Sequence, residues 1–441
     1  MQKELESEYI KTIEFLYSRL PVFHRIGKAA YKEDLNNTIA ICNILDNPEK
    51  KLNKCIHIAG TNGKGSVSHI LSSIFQLCGY KTGLYTSPHL KDFSERIRIN
   101  GEPIDKSYVI EFVNKYYKQF EPIGASFFEL TVGLAFKYFA DNDTDINIIE
   151  TGLGGRLDST NVINPLLSII TNIDYDHTNL LGDTLEKIAF EKAGIIKNEV
   201  PVVIGESNEI TDNVFKERAE LSNSPIYFAD KNFYIKNTNY SIQNNNISLN
   251  FDIVDKSDDI VIKRINNELK GLYQTKNSIT VMQSVEVLNN LGFHIDNAIV
   301  KKAFENVVKL SGLRGRWEVL NRNPLTICDT AHNVAGIKEI VKLINQTNYE
   351  TLHFVIGMVN DKEIDNVLSL LPKDAKYYFC KPNIPRGLDA HILKAKGDVH
   401  NLIGDVYDSV NSALQQAELI ASSKDFIFVG GSTFVVAEVI K

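Results

Sequence analysis

Cysteine is scarce: five in 441 residues, at positions 42, 55, 78, 328 and 380, with no Cys-x-x-Cys pair. That spacing builds neither a zinc knuckle nor a disulfide framework, and a reducing cytoplasm is the simplest setting. Long apolar runs are missing too. No stretch of about eighteen apolar residues occurs, so no membrane span is expected. The most apolar tail segment, Phe426 to Ile440, is broken by Gly430, Gly431, Ser432, Thr433 and Glu438. The start of the chain, Met1 to Glu8, is polar and acidic and lacks the basic flank and apolar core of a secretory signal. Basic residues are not in excess. Lys plus Arg is 48 and Asp plus Glu is 55, a formal charge of −7, which argues against non-specific nucleic-acid binding. Internal repeats and low-complexity tracts are absent. A cytoplasmic monomer acting on small molecules, with no nucleic-acid or membrane partner, is expected. The 43% hydrophobic fraction is ordinary for a globular protein, and the length allows two or more domains.

Residues 1–50 carry helical spacing of apolar residues, and strand and helix signals alternate after them. Strands are expected at Cys55–Ala59, Lys81–Thr86, Ile146–Ile149, Leu166–Thr171 and Val200–Ile204. Helices are expected at Val67–Leu77 and Phe127–Phe139. The alternation predicts an α/β fold with a mostly parallel sheet. Residues 225–270 instead show short alternating runs, Tyr234–Ile242 and Ile247–Ile253. The Asn cluster at 244–246 marks a hairpin tip. Helical patterns return at Ser278–Leu291 and Asp296–Leu310. A second α/β unit follows, with strands at Leu325–Cys328, Leu352–Ile356, Ala375–Phe379 and Phe426–Val429. The expected domains are 1–308, including the β-rich segment, and 312–441.

The segment Gly60, Thr61, Asn62, Gly63, Lys64, Gly65 and Ser66 lies between a strand end and a helix start. Its glycines let backbone N–H groups turn inward, and those donors with the helix N-terminus make a phosphate cradle. Lys64 can reach outer phosphates and Ser66 can offer a hydroxyl to Mg²⁺. The usual phosphate-loop pattern has Ser or Thr directly after Lys; here Gly65 intervenes. Glu150 ends an apolar strand, where acidic groups commonly face a ligand crevice; a surface or capping glutamate is the plainer alternative. Thr171 to His177 ends the next strand in the same way. His177 offers a ring nitrogen near metal or phosphate, although a lone histidine is more often structural. By composition Lys192 reads as a solvated helix lysine. Asp329 to Asn333 and Asp361-Lys362 place polar loops after strands of the second unit, which suggests a cleft closing over a nucleotide and another substrate.

From about residue 35 to the end these motifs, in this order, resemble folylpolyglutamate synthase and dihydrofolate synthase of the Mur ligase superfamily. The resemblance accounts for Gly65, since that family's phosphate loop has the Gly-Lys-Gly-Ser form. It implies a P-loop-type ATP-binding domain and a smaller, Rossmann-like C-terminal domain. Gly60 to Ser66 would then bind ATP phosphates, and Ser66, Glu150 and His177 would hold Mg²⁺. Lys192, in Glu-Lys-Ala-Gly, would be the family's carbamylated lysine, an oxygen donor suited to Mg²⁺. Asn277 matches an asparagine near adenine, and Arg316 an arginine that contacts phosphate. Asp329 and His332 match the loop that meets the ribose and the reacting groups. Ser87, Pro88 and His89, with Arg96 and Arg98, match the folate-side loop. Phe127 and Phe128 fit either an apolar wall or core packing.

Two residues depart from the family pattern. Tyr273 replaces a usual histidine, and Thr330 replaces a usual glycine whose dihedrals threonine would avoid. The implied activity is ATP-dependent addition of L-glutamate to the γ-carboxyl of tetrahydrofolate or its polyglutamates, with dihydropteroate as a further acceptor. A monofunctional dihydrofolate synthase, a muramyl-peptide ligase and a non-ligating P-loop module are the rival readings. Only about 50 residues precede the loop, which leaves little room for a muramyl ligase's UDP-sugar domain.

Overall fold

The computed structural model describes residues 2–21, 34–360 and 364–441. These pack as two units. The first runs to Lys236 and adds Asp252–Lys263 and Thr275–Gly312; the second comprises Asn237–Phe251, Arg264–Gln274 and Leu313–Lys441. Among the described residues no helix is long and apolar enough to cross a membrane.

The first unit is built on strands β1 (Cys55–Ala59), β2 (Thr82–Tyr85), β3 (Ile97–Ile99), β4 (Glu102–Pro103), β5 (Ile146–Glu150), β6 (Leu167–Ile170), β7 (Val202–Ile204) and β8 (Ile226–Phe228). Their order in the sheet is β4-β3-β2-β5-β1-β6-β7-β8. All pairings from β2 to β8 are parallel, and the β2–β3 and β3–β4 pairs are antiparallel. All five residues of β1 are buried, as a central strand covered on both faces requires. Leu16, Ile41, Phe112 and Phe136 belong to one core cluster; Ile170, Ala193, Ile195 and Val202 belong to another. The helix Phe127–Asp141 starts at a capping box: the Glu129 amide donates to the Ser126 hydroxyl, and the Ser126 amide to the Glu129 carboxylate.

The second unit holds β12 (Glu318–Arg322), β13 (Leu325–Cys328), β14 (Leu352–Ile356), β15 (Lys376–Phe379), β16 (Gly404–Val406) and β17 (Phe426–Gly430), ordered β12-β13-β17-β14-β15-β16. Only the β12–β13 pair is antiparallel. Between the two sheets in sequence lies a three-stranded ribbon, β9 (Phe233–Gln243), β10 (Asn246–Asp255) and β11 (Ile260–Asn266). Its turn uses Asn244 and Asn245 at φ 50° and 59°, a region asparagine tolerates.

Three expectations need correction. The ribbon does not sit wholly with the first domain, because Asn237–Phe251 and Arg264–Gln274 pack with the second unit. It also has a third strand, β11, which the sequence hid because its buried positions do not alternate and Arg264 takes φ 52°. The helical pattern over 296–310 is two helices, Asn297–Glu305 and Val307–Ser311, parted at Asn306. Asp296 caps the first of them through the Ile299 amide.

Candidate active site

The loop after β1 is shaped by what surrounds it. Gly60 has φ 150°, and a Cβ there would lie 1.9 Å from Thr171 Oγ1. Gly63, at φ 85°, precedes the helix Lys64–Leu77; a Cβ there would lie 2.3 Å from Asn277 Oδ1. Both positions therefore require glycine. The loop is held by the end of β6. The Thr61 amide donates to the Asn172 carbonyl at 3.0 Å, the Asn62 amide to Asn172 Oδ1 at 2.9 Å, and Thr171 Oγ1 to the Asn62 carbonyl at 2.5 Å. Asn172 Nδ2 in turn donates to Glu206, which pairs with Lys276 at 2.9 Å. This chain of contacts ties the loop to the helix Gln274–Asn290, which carries the buried Asn277.

Two lysines meet on one carbonyl. Lys64 Nζ and Lys192 Nζ each donate to the Gly60 carbonyl at 2.9 Å, and Lys64 also reaches the Thr61 carbonyl at 3.2 Å. Lys192 is only 4% exposed. Burial, and then the charge of Lys64, push its ammonium down to about 7; Asp176 and Asp158 oppose the shift. Lys192 is therefore a buried amine, neutral in a substantial fraction at neutral pH, and not the solvated residue its composition suggested.

Glu150 ends β5 beside Ile58 of β1, is buried, and accepts the Ser87 amide at 3.2 Å. Ser66 is buried in the first turn of its helix. His177 stands at φ 50° before the short helix Thr178–Leu181, its Nε2 3.7 Å from Asp176. Among the described residues no group of three or more His, Cys, Asp or Glu is set to hold a metal by itself. A hydroxyl and one carboxylate are nevertheless the kind of sparse, hard-oxygen set that Mg²⁺ uses when substrate phosphates supply further ligands.

The loop after β5 hangs on Asp158, which the sequence reading passed over. Its Oδ2 accepts the amides of Gly152 and Leu153 at 2.9 and 2.8 Å; its Oδ1 accepts the Thr160 amide at 3.0 Å and the Thr160 hydroxyl at 2.5 Å. Thr160 has one proton, given to Asp158, so it must accept from His57 Nε2–H at 2.8 Å. Burial holds His57 down to about 3, so it stays neutral, and its Nδ1 has no partner. Nothing in the sequence flagged this chain, because His57 sits unannounced inside an apolar strand.

On the other side, the Ser87–Pro88 bond is cis. Arg96 is buried; its Nε donates to His89 Nδ1 at 2.7 Å and its guanidinium lies over Phe127. Since Nδ1 accepts, His89 Nε2 carries the proton, 3.4 Å from Tyr17 Oη. Tyr17 stacks on Phe127, with ring centroids 4.7 Å apart. Phe127 is thus a core residue. Phe128 is half-buried, against the position a Cβ on Gly152 would take. Arg98 is turned into the protein, where Nη1 donates to the Gly101 carbonyl at 2.9 Å and fills the space beside Gly312. That placement corrects the expectation of Arg98 as a surface partner for carboxylates.

In the second unit Asp329 follows β13 and is 2% exposed. Its Oδ2 accepts the Tyr273 hydroxyl at 2.6 Å and the Trp317 amide at 2.7 Å, and its Oδ1 accepts the Ala331 amide at 2.8 Å. Burial raises its carboxyl, with Arg316 and these donors opposing. His332 is exposed and donates from Nδ1 to the Thr330 carbonyl at 3.1 Å, which leaves Nε2 as its acceptor when neutral. Thr330 does not take a positive φ; the left-handed residues here are Gly315 at 72° and Trp317 at 48°. Threonine is accommodated because the turn's demanding dihedrals fall elsewhere. Asp361 and Lys362 lie outside the described residues.

Comparison with known proteins then fixes the class. The Mur ligase middle domain matches residues 58–285, and the Mur ligase glutamate ligase domain matches residues 315–433. The chain is 31% identical over 407 residues to the dihydrofolate synthase/folylpolyglutamate synthase of Bacillus subtilis, covering 90% of this chain and 92% of that protein. It is 28% identical to a probable bifunctional folylpolyglutamate synthase/dihydropteroate synthase of Haloferax volcanii, covering 87% of this chain but only 45% of that longer protein. A bifunctional folylpolyglutamate synthase/dihydrofolate synthase from Yersinia pestis, solved with AMPPNP and a Mn ion, superposes with a TM-score of 0.77 at 27% identity, covering 93% of this chain and 94% of that one. The chain belongs to the folylpolyglutamate synthase and dihydrofolate synthase family of the Mur ligase superfamily.

Proposed function

We infer that this chain is an ATP-dependent amide ligase that adds L-glutamate to the γ-carboxyl of tetrahydrofolate or its polyglutamates, and to dihydropteroate, through an acyl phosphate. The observation that carries this reading is the meeting of Lys64 and buried Lys192 on the Gly60 carbonyl, at the strand end that also holds Glu150. In this reading the first unit is a P-loop-type nucleotide domain and the second is Rossmann-like. The family relative solved with AMPPNP and Mn supports ATP with a divalent cation, here Mg²⁺.

Gly60, Thr61, Asn62, Gly63, Lys64, Gly65 and Ser66 cradle the phosphates through inward amides and the helix N-terminus. Lys64 leaves its carbonyl partners for the outer phosphates. Asn277 sits by the adenine, Asp329 by the ribose and Arg316 by the phosphates. Ser66, Glu150 and His177 would hold Mg²⁺, with Lys192 joining them as a carbamate. The bound cation supplies positive charge to phosphoryl oxygens. Ser87, Pro88, His89, Arg96 and Phe128 face the folate, with Phe127 and Arg98 supporting that side from within.

The substrate γ-carboxylate attacks the γ-phosphorus of ATP and the bond to ADP breaks. The amine of glutamate then attacks the acyl carbon. The C–O bond breaks, phosphate leaves, and the amine's proton passes to a base, for which His332 Nε2 is placed as an acceptor. The protein's share is alignment and charge stabilisation, since both partners are weakly reactive.

Mass analysis after incubation with Mg·ATP, tetrahydrofolate and L-glutamate tests the reading: a product one glutamyl residue heavier is expected, and unchanged folate would refute it. The metal assignment has its own check. Glu150→Ala and His177→Ala should each weaken Mg²⁺ binding ~10-fold or more, read by metal titration in the presence of AMPPNP. Wild-type affinity and activity in both variants would remove these residues from the metal site.

A further inference from the structure

We propose that Tyr273 is a positioning residue that aims Arg316 through the buried carboxylate of Asp329. The inference rests on the reading of Arg316 as a phosphate-binding residue. Arg316 sits between Gly315 at φ 72° and Trp317 at φ 48°. Glycine adopts that region freely; tryptophan does not, and needs surroundings that hold it there. The hold is visible. The Trp317 amide donates to Asp329 Oδ2 at 2.7 Å, and the Trp317 indole N–H donates to the Tyr240 hydroxyl at 3.1 Å. On the other side of Arg316, the Gly315 amide donates to Glu318 Oε2 at 2.7 Å, and the Gly315 carbonyl accepts the Thr330 amide at 3.1 Å.

Asp329 anchors the turn only while its own orientation is fixed. Its Oδ1 is held by the Ala331 amide from its own loop. The hydrogen bond to Oδ2 from outside the 315–331 region is the Tyr273 hydroxyl, at 2.6 Å from the segment that enters the helix Gln274–Asn290. The Tyr273 side chain is otherwise packed among apolar residues of the second unit's core, so its ring cannot swing away to water. Without that hydroxyl a buried carboxylate oxygen keeps one donor and can rotate, which frees the strained Trp317 and lets Arg316 wander. A family position usually filled by histidine thus carries, in this chain, a longer side chain with a hydroxyl at its tip that never titrates in the working range, because burial and the Asp329 charge raise it far above.

The test is a double-mutant cycle on Mg·ADP affinity, measured by calorimetry with wild type, Tyr273→Phe, Arg316→Ala and the double variant. Tyr273→Phe is expected to weaken Mg·ADP binding about 10-fold, and Arg316→Ala by about 10- to 100-fold. The double variant should bind no worse than Arg316→Ala, since Tyr273 acts through Arg316. Equal losses from Tyr273→Phe on both backgrounds would show a general structural role and overturn the inference while leaving the reading of Arg316 intact. Undiminished affinity in Arg316→Ala would overturn that reading, and the inference with it. If Tyr273→Phe does not fold, Asp329→Asn replaces it in the cycle, because it keeps the shape and removes an acceptor from the same anchor; the same two patterns decide.

Discussion

Lys192→Ala is expected to lose ~10²–10³ in turnover, the scale on which a key transition-state contact is worth. The side chain is buried, shares the Gly60 carbonyl with Lys64, and has its ammonium pushed down to about 7. An ammonium beside a metal and Lys64 would be repelled. A neutral amine can add CO₂, forming an N–C bond and releasing one proton, and the carbamate that results is anionic. Activity at limiting bicarbonate should therefore rise as pH passes through about 7. The stability of the unmodified protein should follow the same direction. The folded state binds the Lys192 proton more weakly than the unfolded chain, so between about 7 and the ordinary 10.5 this group makes stability rise with pH. A carbamate resonance after feeding labelled bicarbonate would support the assignment. A fully active Lys192→Ala enzyme, with no carbamate in the wild type, would reduce Lys192 to a buried structural residue.

Lys64→Ala should depress turnover on a similar scale, ~10²–10³, with the fold retained. In the structure Lys64 Nζ rests on two backbone carbonyls, which are easily exchanged for phosphate oxygens. Its removal leaves the loop's hydrogen bonds to Thr171 and Asn172 intact, so the thermal midpoint should move little. The same substitution relieves Lys192 of its nearest like charge, so the Lys192 ammonium should titrate higher in Lys64→Ala than in the wild type. A variant with normal kcat would sink the role of Lys64.

Much of this arrangement was legible in the sequence because it lies at strand ends. Cys55–Ala59, Ile146–Ile149 and Leu325–Cys328 are short apolar runs, and the polar residues after them, Gly60, Glu150 and Asp329, fall where parallel strands present side chains. What escaped reading was mostly long-range. His57, Thr160 and Asp158 come together only through the packing of β1 against the loop after β5. Lys192 looked like a surface lysine because helix periodicity does not say that its turn packs under Gly60. Arg98 looked like a ligand for carboxylates because charge alone does not reveal a side chain folded back onto Gly101. The strand β12, Glu-Val-Leu-Asn-Arg, is polar and carries a register shift at Val319/Asn321, so neither composition nor alternation announces it.

The central claim is that a folate carboxylate is activated by phosphorylation before glutamate attacks it. Its most direct test follows heavy oxygen placed in the γ-carboxylate of tetrahydrofolate, with Mg·ATP and L-glutamate present, into the inorganic phosphate released. Phosphate release that requires both folate and glutamate, with one labelled oxygen in each phosphate formed, is the predicted result. Phosphate released without folate, or released with glutamate consumed but free of label, would contradict it.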